Sequence, residues 1–248
     1  MNKYMGRILS LGALTLGSVF TQTAYADSAD AAFPATAQQQ LWRFKVSLDE
    51  REIGFHDFTV TRQGAQRTVE INADFDVKIL FINAYSYDHD NREIWKDGCL
   101  QQIESETDDN GDLLKVVGEN VTEGFTIVTN AGAPRTIGSP CVRSFAYWNP
   151  LFLESSQLLN SQTGEFVDVT ITGQGEETLL IDGQPVASRR YEIEMDEGPI
   201  TLWYTRDSSQ WLALQAMTEG GRTLRYQPVQ LPFPTGNEGA RLTAAASP

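Results

Sequence analysis

Tyr85–Gly118 reads YSYDHDNREIWKDGCLQQIESETDDNGDLLKVVG. Two dipeptides punctuate it, Asp97-Gly98 after Lys96 and Asn110-Gly111 after Asp109. Asp-Gly and Asn-Gly accept the positive φ that a two-residue hairpin needs, so the apolar and β-branched runs around them predict an antiparallel meander. The rest of the chain repeats this grammar.

Upstream, Trp42, Phe44, Val46 and Leu48 alternate with Arg43, Lys45, Ser47 and Asp49, the pattern of a half-buried strand. Glu52 to Arg62 continues as a second strand, with Gly54 marking a bulge and Gln63-Gly64 turning the chain back. The clearest strand runs from Arg67 to Phe81, where Ile71, Ala73, Phe75, Val77, Ile79 and Phe81 recur at every second position. Its length, roughly 50 Å at ~3.4 Å per residue, calls for a large curved or strongly twisted sheet.

Downstream, a strand is expected at Asn120–Thr129 and a Gly- and Pro-punctuated loop at Asn130–Cys141. Asn149–Leu159, NPLFLESSQLL, is the one stretch with helical spacing, and Pro150 suits a first turn. Alternating runs at 167–172, 178–181, 187–195, 199–205, 211–217 and 222–226 complete a count of about ten to thirteen strands. Connections this short imply that sequence neighbours pair antiparallel. The expected fold is all-β: a large curved antiparallel meander sheet or partly open β-barrel with one short helix.

The first residues set the location. Lys3 and Arg7 precede an apolar run, Ile8–Phe20, and a small-residue site at Ala24-Tyr25-Ala26, the layout of a signal peptide cleaved after Ala26. The run is shorter than the ~20 residues a spanning helix needs, so the chain is not expected to span a membrane. No Cys sits at the cleavage site and no twin-arginine pair precedes it. The organisation expected is a signal peptide (1–26), a flexible segment (27–39), a single β domain (40–230) and a flexible tail (231–248). Cleavage leaves 17 Lys plus Arg against 33 Asp plus Glu, a net charge of −16. Such a charge repels nucleic acids and anionic headgroups, so no nucleic-acid partner is expected.

Four strings carry a resemblance: WKDGCL (Trp95–Leu100), the Asp109-Asn110-Gly111 turn, FAYWN (Phe145–Asn149) and LWYTRDSSQW (Leu202–Trp211). They resemble an uncharacterised family of exported bacterial β proteins, classed as a domain of unknown function. A more distant likeness is to another such family of periplasmic β proteins. The resemblance implies an antiparallel sheet or partly open barrel, loosely similar to periplasmic lipid and lipoprotein carriers, and no established activity. The chain departs from the family pattern at Cys99, where a basic residue is usual.

Cys99 and Cys141 are the only cysteines, and export would carry them into an oxidising compartment. One structural disulfide is therefore expected; closing a loop of this length removes about 4 kcal/mol of unfolded-state freedom in the chain-entropy model. A reactive or metal-binding thiol pair would call for C-x-x-C spacing or a nearby histidine, and neither is present. The two histidines are His56 and His89. Asp88-His89-Asp90 and Glu106–Asp112 offer oxygen and imidazole ligands, but an EF-hand ligand six residues after Gly111 would be Val117, so both are read as polar hairpin turns. No G-x-S-x-G elbow occurs. Glu104 with Glu106, and Glu192 with Glu194, share strand faces as glycosidase carboxylates do, yet among 33 acidic residues such pairs are ordinary solvated faces. No residue is assigned to catalysis, and no metal or cofactor is expected.

Aromatic residues concentrate in the meander, the crossing segment and the last hairpins. Filling the core is the plainer role for most of them. A curved sheet closed by a short helix also tends to enclose a cavity, whose aromatic walls suit an apolar or amphiphilic molecule. The ligand-binding candidates are Trp95, Tyr147, Trp148, Trp203, Tyr204 and Trp211. The function expected is non-catalytic binding or carriage of a hydrophobic, lipid-like molecule in the periplasm. A structural or accessory envelope protein docking on a protein partner is the alternative, and a hydrolase the third.

Overall fold

The computed structural model describes residues 37–79, 82–130, 132–218 and 220–233, which fall within one compact unit. The signal peptide and residues 234–248 of the expected tail lie outside the described residues.

Among the described residues fifteen strands form, two more than the upper end of the expected count. The first eight are β1 (Gln38–Leu48), β2 (Arg51–Gln63), β3 (Gln66–Ile79), β4 (Ile82–Lys96), β5 (Cys99–Asp109), β6 (Asp112–Val121), β7 (Gly124–Thr129) and β8 (Arg135–Ile137). A 3₁₀ helix, η1 (Pro150–Glu154), and a short hairpin of β9 (Gln157–Leu159) and β10 (Phe166–Asp168) follow. Then come β11 (Thr170–Ile181), β12 (Gln184–Glu194), β13 (Ile200–Thr205), β14 (Trp211–Met217) and β15 (Thr223–Gln230). Thirteen strands make one sheet in the order β11-β12-β13-β14-β15-β1-β2-β3-β4-β5-β6-β7-β8. Two meanders are thus joined where β15 pairs antiparallel with β1. The sheet does not close: β8 and β11 are its edges.

Both hairpin turns of the central meander take the conformation their residues allow. Asp97 and Gly98 have φ of 52° and 77°, and the Asp108 carboxylate receives the Gly111 N–H at 2.7 Å in the second turn. Gly54 lies opposite the register shift between β1 and β2, and a Cβ there would stand 1.8 Å from the Asp74 carbonyl oxygen. Only glycine lets β2 and β3 approach this closely at that point. On β3, Ile71, Ala73, Phe75 and Val77 are all buried, as the alternation requires.

Four local expectations are corrected. The segment expected as a helix from Asn149 to Leu159 keeps only five residues of 3₁₀ helix, capped by the Asn149 side chain; Leu158 and Leu159 are extended and fully buried in β9 instead. The runs at 167–172 and 178–181 divide differently, as β10 and a continuous β11 with a bulge at Gly173–Gly175. Gln38 and Gln39 already belong to β1. Finally, the tail is held as far as Phe233, whose backbone N–H and C=O bond the Gln210 side chain at 3.1 and 3.2 Å.

Residues 138–169 cross from one sheet edge to the other and cover the buried face. Leu100 N–H donates to Val142 C=O at 2.9 Å, the Tyr204 hydroxyl donates to Tyr147 C=O at 2.8 Å, and Trp148 meets Trp95 edge to face. The disulfide Cys99–Cys141 staples the start of this crossing segment to the tip of the β4–β5 hairpin. Among the described residues no helix is long and apolar enough to cross a membrane.

Candidate functional site: a polar-lined cavity under the crossing segment

β4 turns its odd-numbered residues inward. Tyr87, His89, Asn91, Glu93 and Trp95 are buried, while Asp88, Asp90 and Arg92 face solvent. Asp88-His89-Asp90 is therefore not a hairpin turn, as the sequence led us to expect, but the middle of the longest strand, with its imidazole and carboxylates on opposite faces. The polar stripe continues onto β5, where Ser105 and Thr107 stand opposite Asn91 and His89.

Glu93 is the hub. One carboxylate oxygen accepts from the Asn91 amide at 3.1 Å and the Ser144 hydroxyl at 2.9 Å; the other accepts from the Trp95 indole N–H at 2.7 Å. Burial pushes its pKa up, and the three donated bonds pull it back down. Since a carboxylate has about four acceptor positions, one on the second oxygen is still open. His89 sits beside this hub with Nδ1 2.8 Å from the Thr107 hydroxyl. Burial lowers its pKa to about 4, so it is neutral at pH 7. His56, on β2, has Nδ1 3.0 Å from the Tyr226 hydroxyl, stacks on Phe58, and is lowered to about 3 by burial and by its proximity to His89.

These groups surround a cavity of about 250 Å³. Its polar wall holds His56, His89, Asn91, Glu93, Ser144 and Ser161; its apolar wall includes Phe58, Ile71, Ile200, Leu214 and Leu224. Glu197 also lines it, from the exposed turn between β12 and β13, and no Lys or Arg does. Two polar atoms in this wall, Asn91 Oδ1 and His56 Nε2, have no hydrogen-bond partner among the described residues. Buried polar atoms are nearly always paired, so two orphans on side chains that line one cavity make it a candidate place where something else binds. Among the described residues no group of three or more His, Cys, Asp or Glu side chains is placed to hold a metal ion.

The six aromatic candidates separate. Tyr147 lines the cavity. Trp95 and Trp148 pack on each other behind the Glu93 hub, and Trp211 is fully buried among Phe44, Phe58, Tyr147 and Tyr226. Tyr204 is buried against Tyr191 and anchors the crossing segment. Trp203 points the other way, half-buried on the outer face with its indole N–H on Glu177.

Residues 44–229 match the family described as Domain of unknown function (DUF6134). The chain belongs to that family. A solved structure titled as a beta-barrel-like protein of Domain of Unknown Function DUF1849, from Brucella abortus, superposes with a TM-score of 0.60 at 10% identity, covering 78% of this chain and 97% of that one. At that identity the likeness is one of fold. No curated protein matches the sequence.

Sequence reading of this DUF6134 chain missed His56, His89, Asn91 and Glu93. A usable signal existed for three of them: Tyr87 and Trp95 are large aromatics eight residues apart on one strand, and stepping between them by two lands on His89, Asn91 and Glu93. Nothing local singles out His56.

Proposed function

We propose that this is an exported protein that binds and carries a small, largely apolar molecule in the periplasm without acting on it chemically. The cavity under the crossing segment carries the reading, because it is lined by both the sheet and the crossing segment and has an extensive apolar wall. Its volume of about 250 Å³ suits a short chain or a single ring system as the lipid-like cargo. Export is supported by the charged, apolar and small-residue sequence of residues 1–26 and by the Cys99–Cys141 bond. Native mass spectrometry of protein purified from its own host's envelope is expected to show a small adduct that denaturation releases. A chain without adduct that also binds no apolar probe overturns the proposal.

Docking on an envelope partner is the second reading, favoured by one observation: β11 leaves a 12-residue sheet edge, with Leu180 exposed near its end, without a neighbouring strand on its outer side among the described residues.

A further inference from the structure

Which polar head the cargo carries can be read from the cavity wall, and the inference rests on the carrier reading above. Asn91 lines the cavity and is 4% exposed; its amide nitrogen is committed to Glu93, and its buried carbonyl Oδ1 is an acceptor with no donor among the described residues. Beside it, Glu93 keeps one acceptor position open on the oxygen that receives the Trp95 indole. These two side chains thus ask for donors.

The charge balance points the same way. Glu93 is buried in the wall and Glu197 lines the cavity from the exposed turn, with no Lys or Arg lining residue to offset them. A buried carboxylate without a cation is costly, and its neutral donors offset only part of that cost. The rings of Phe58, Phe145, Tyr147 and Tyr226 line the same space, and aromatic faces attract cations. An anionic head would stand near the Glu93 and Glu197 carboxylates and the Asn91 carbonyl, with only neutral side chains in the wall to offset their repulsion.

We infer that the cavity takes a small amphiphile with a primary amine head, its ammonium donating to Asn91 Oδ1 and Glu93 while its apolar part lies against Ile200, Leu214 and Leu224. Octylamine, octanol and octanoate share one chain and differ only in the head. Titrated calorimetrically into the full mature chain at neutral pH and low salt, octylamine is expected to bind at least about tenfold tighter than octanoate, with octanol between them. Glu93→Gln keeps the volume and removes the charge, and should erase most of the octylamine advantage over octanoate. Octanoate binding as tightly as octylamine to the wild-type chain overturns the inference and leaves the carrier reading standing. Binding of none of the three overturns the carrier reading and the inference with it. The wild-type ranking decides between these outcomes even if Glu93→Gln fails to fold.

Discussion

β3 and β4 are antiparallel neighbours along almost their whole length, yet their buried faces differ in kind. β3 presents Val69, Ile71, Ala73, Phe75 and Val77; directly opposite, β4 presents Glu93, Asn91, His89, Tyr87 and the bulge-flanking Tyr85. Val69 is 0% exposed and Glu93, its cross-strand partner, 1%. The two strands are buried to the same depth, so burial alone does not explain the polar set. Packing would be served as well by apolar side chains, since replacing buried polar groups by apolar ones of similar volume is often neutral or stabilising. What distinguishes β4 is that its whole polar stripe borders the cavity, to which β3 contributes only Ile71 while Val69, Ala73 and Phe75 lie in the continuous core.

The widest contrast should appear on acidification, because a polar stripe can titrate and an apolar one cannot. The folded pKa values of His56 and His89, about 3 and about 4, lie below the ordinary 6.5. Below that value the unfolded chain takes up protons that the folded chain refuses, so stability is lost as pH falls. From about pH 6.5 to 4.5 the loss should reach about 2 kcal/mol per histidine, or about 4 for the pair. Glu93, whose pKa is raised, works in the opposite direction over the range above its ordinary value. Urea melts across this range are expected to show a shallower acid loss, by several kcal/mol, in a His56→Gln, His89→Gln double variant. Parallel curves for wild type and variant would mean that neither histidine is held neutral by the fold.

On the apolar side, Phe75 stacks on Tyr87 at 5.3 Å between ring centroids and forms part of the core. Phe75→Ala should cost about 3 kcal/mol in a urea melt, the ordinary penalty for an aromatic truncated in a packed interior. A loss under about 1 kcal/mol would place Phe75 beside free space and blur the distinction between the two strands.

The same contrast explains what could be read in the sequence. β3 was legible because hydrophobicity and burial coincide in it: Ile71, Ala73, Phe75 and Val77 announce their face by alternation. The hairpins were legible because Asp97-Gly98 and Asn110-Gly111 carry their own turn chemistry, and the Cys99–Cys141 pairing because two cysteines leave one bond to make. In β4 the code breaks. Asp88, Asp90 and Arg92 outside alternate with His89, Asn91 and Glu93 inside, so hydrophobicity shows no period and a polar turn is the natural misreading. The inward set is recovered only from its aromatic ends, Tyr87 and Trp95. The helix read at Asn149–Leu159 failed for a related reason: i, i+3 spacing of apolar residues also arises when a short turn feeds an extended pair, and Leu158 and Leu159 are held by the sheet they cover. Sequence reasoning gave way where tertiary placement overrode local pattern, which is where functional sites are expected.

Asn91→Leu tests most directly whether the polar stripe of β4 exists for binding rather than for folding. The substitution gives up a hydrogen bond to Glu93 worth about 1.5–3 kcal/mol, but relieves the orphaned Oδ1 and adds apolar burial of about 1.5–3 kcal/mol. Stability by urea melt should therefore stay within about 1 kcal/mol of wild type, while octylamine affinity, measured on the same preparation, falls at least about tenfold. A variant that loses about 3 kcal/mol or more of stability yet binds octylamine as tightly as wild type would contradict this and make the stripe a structural network.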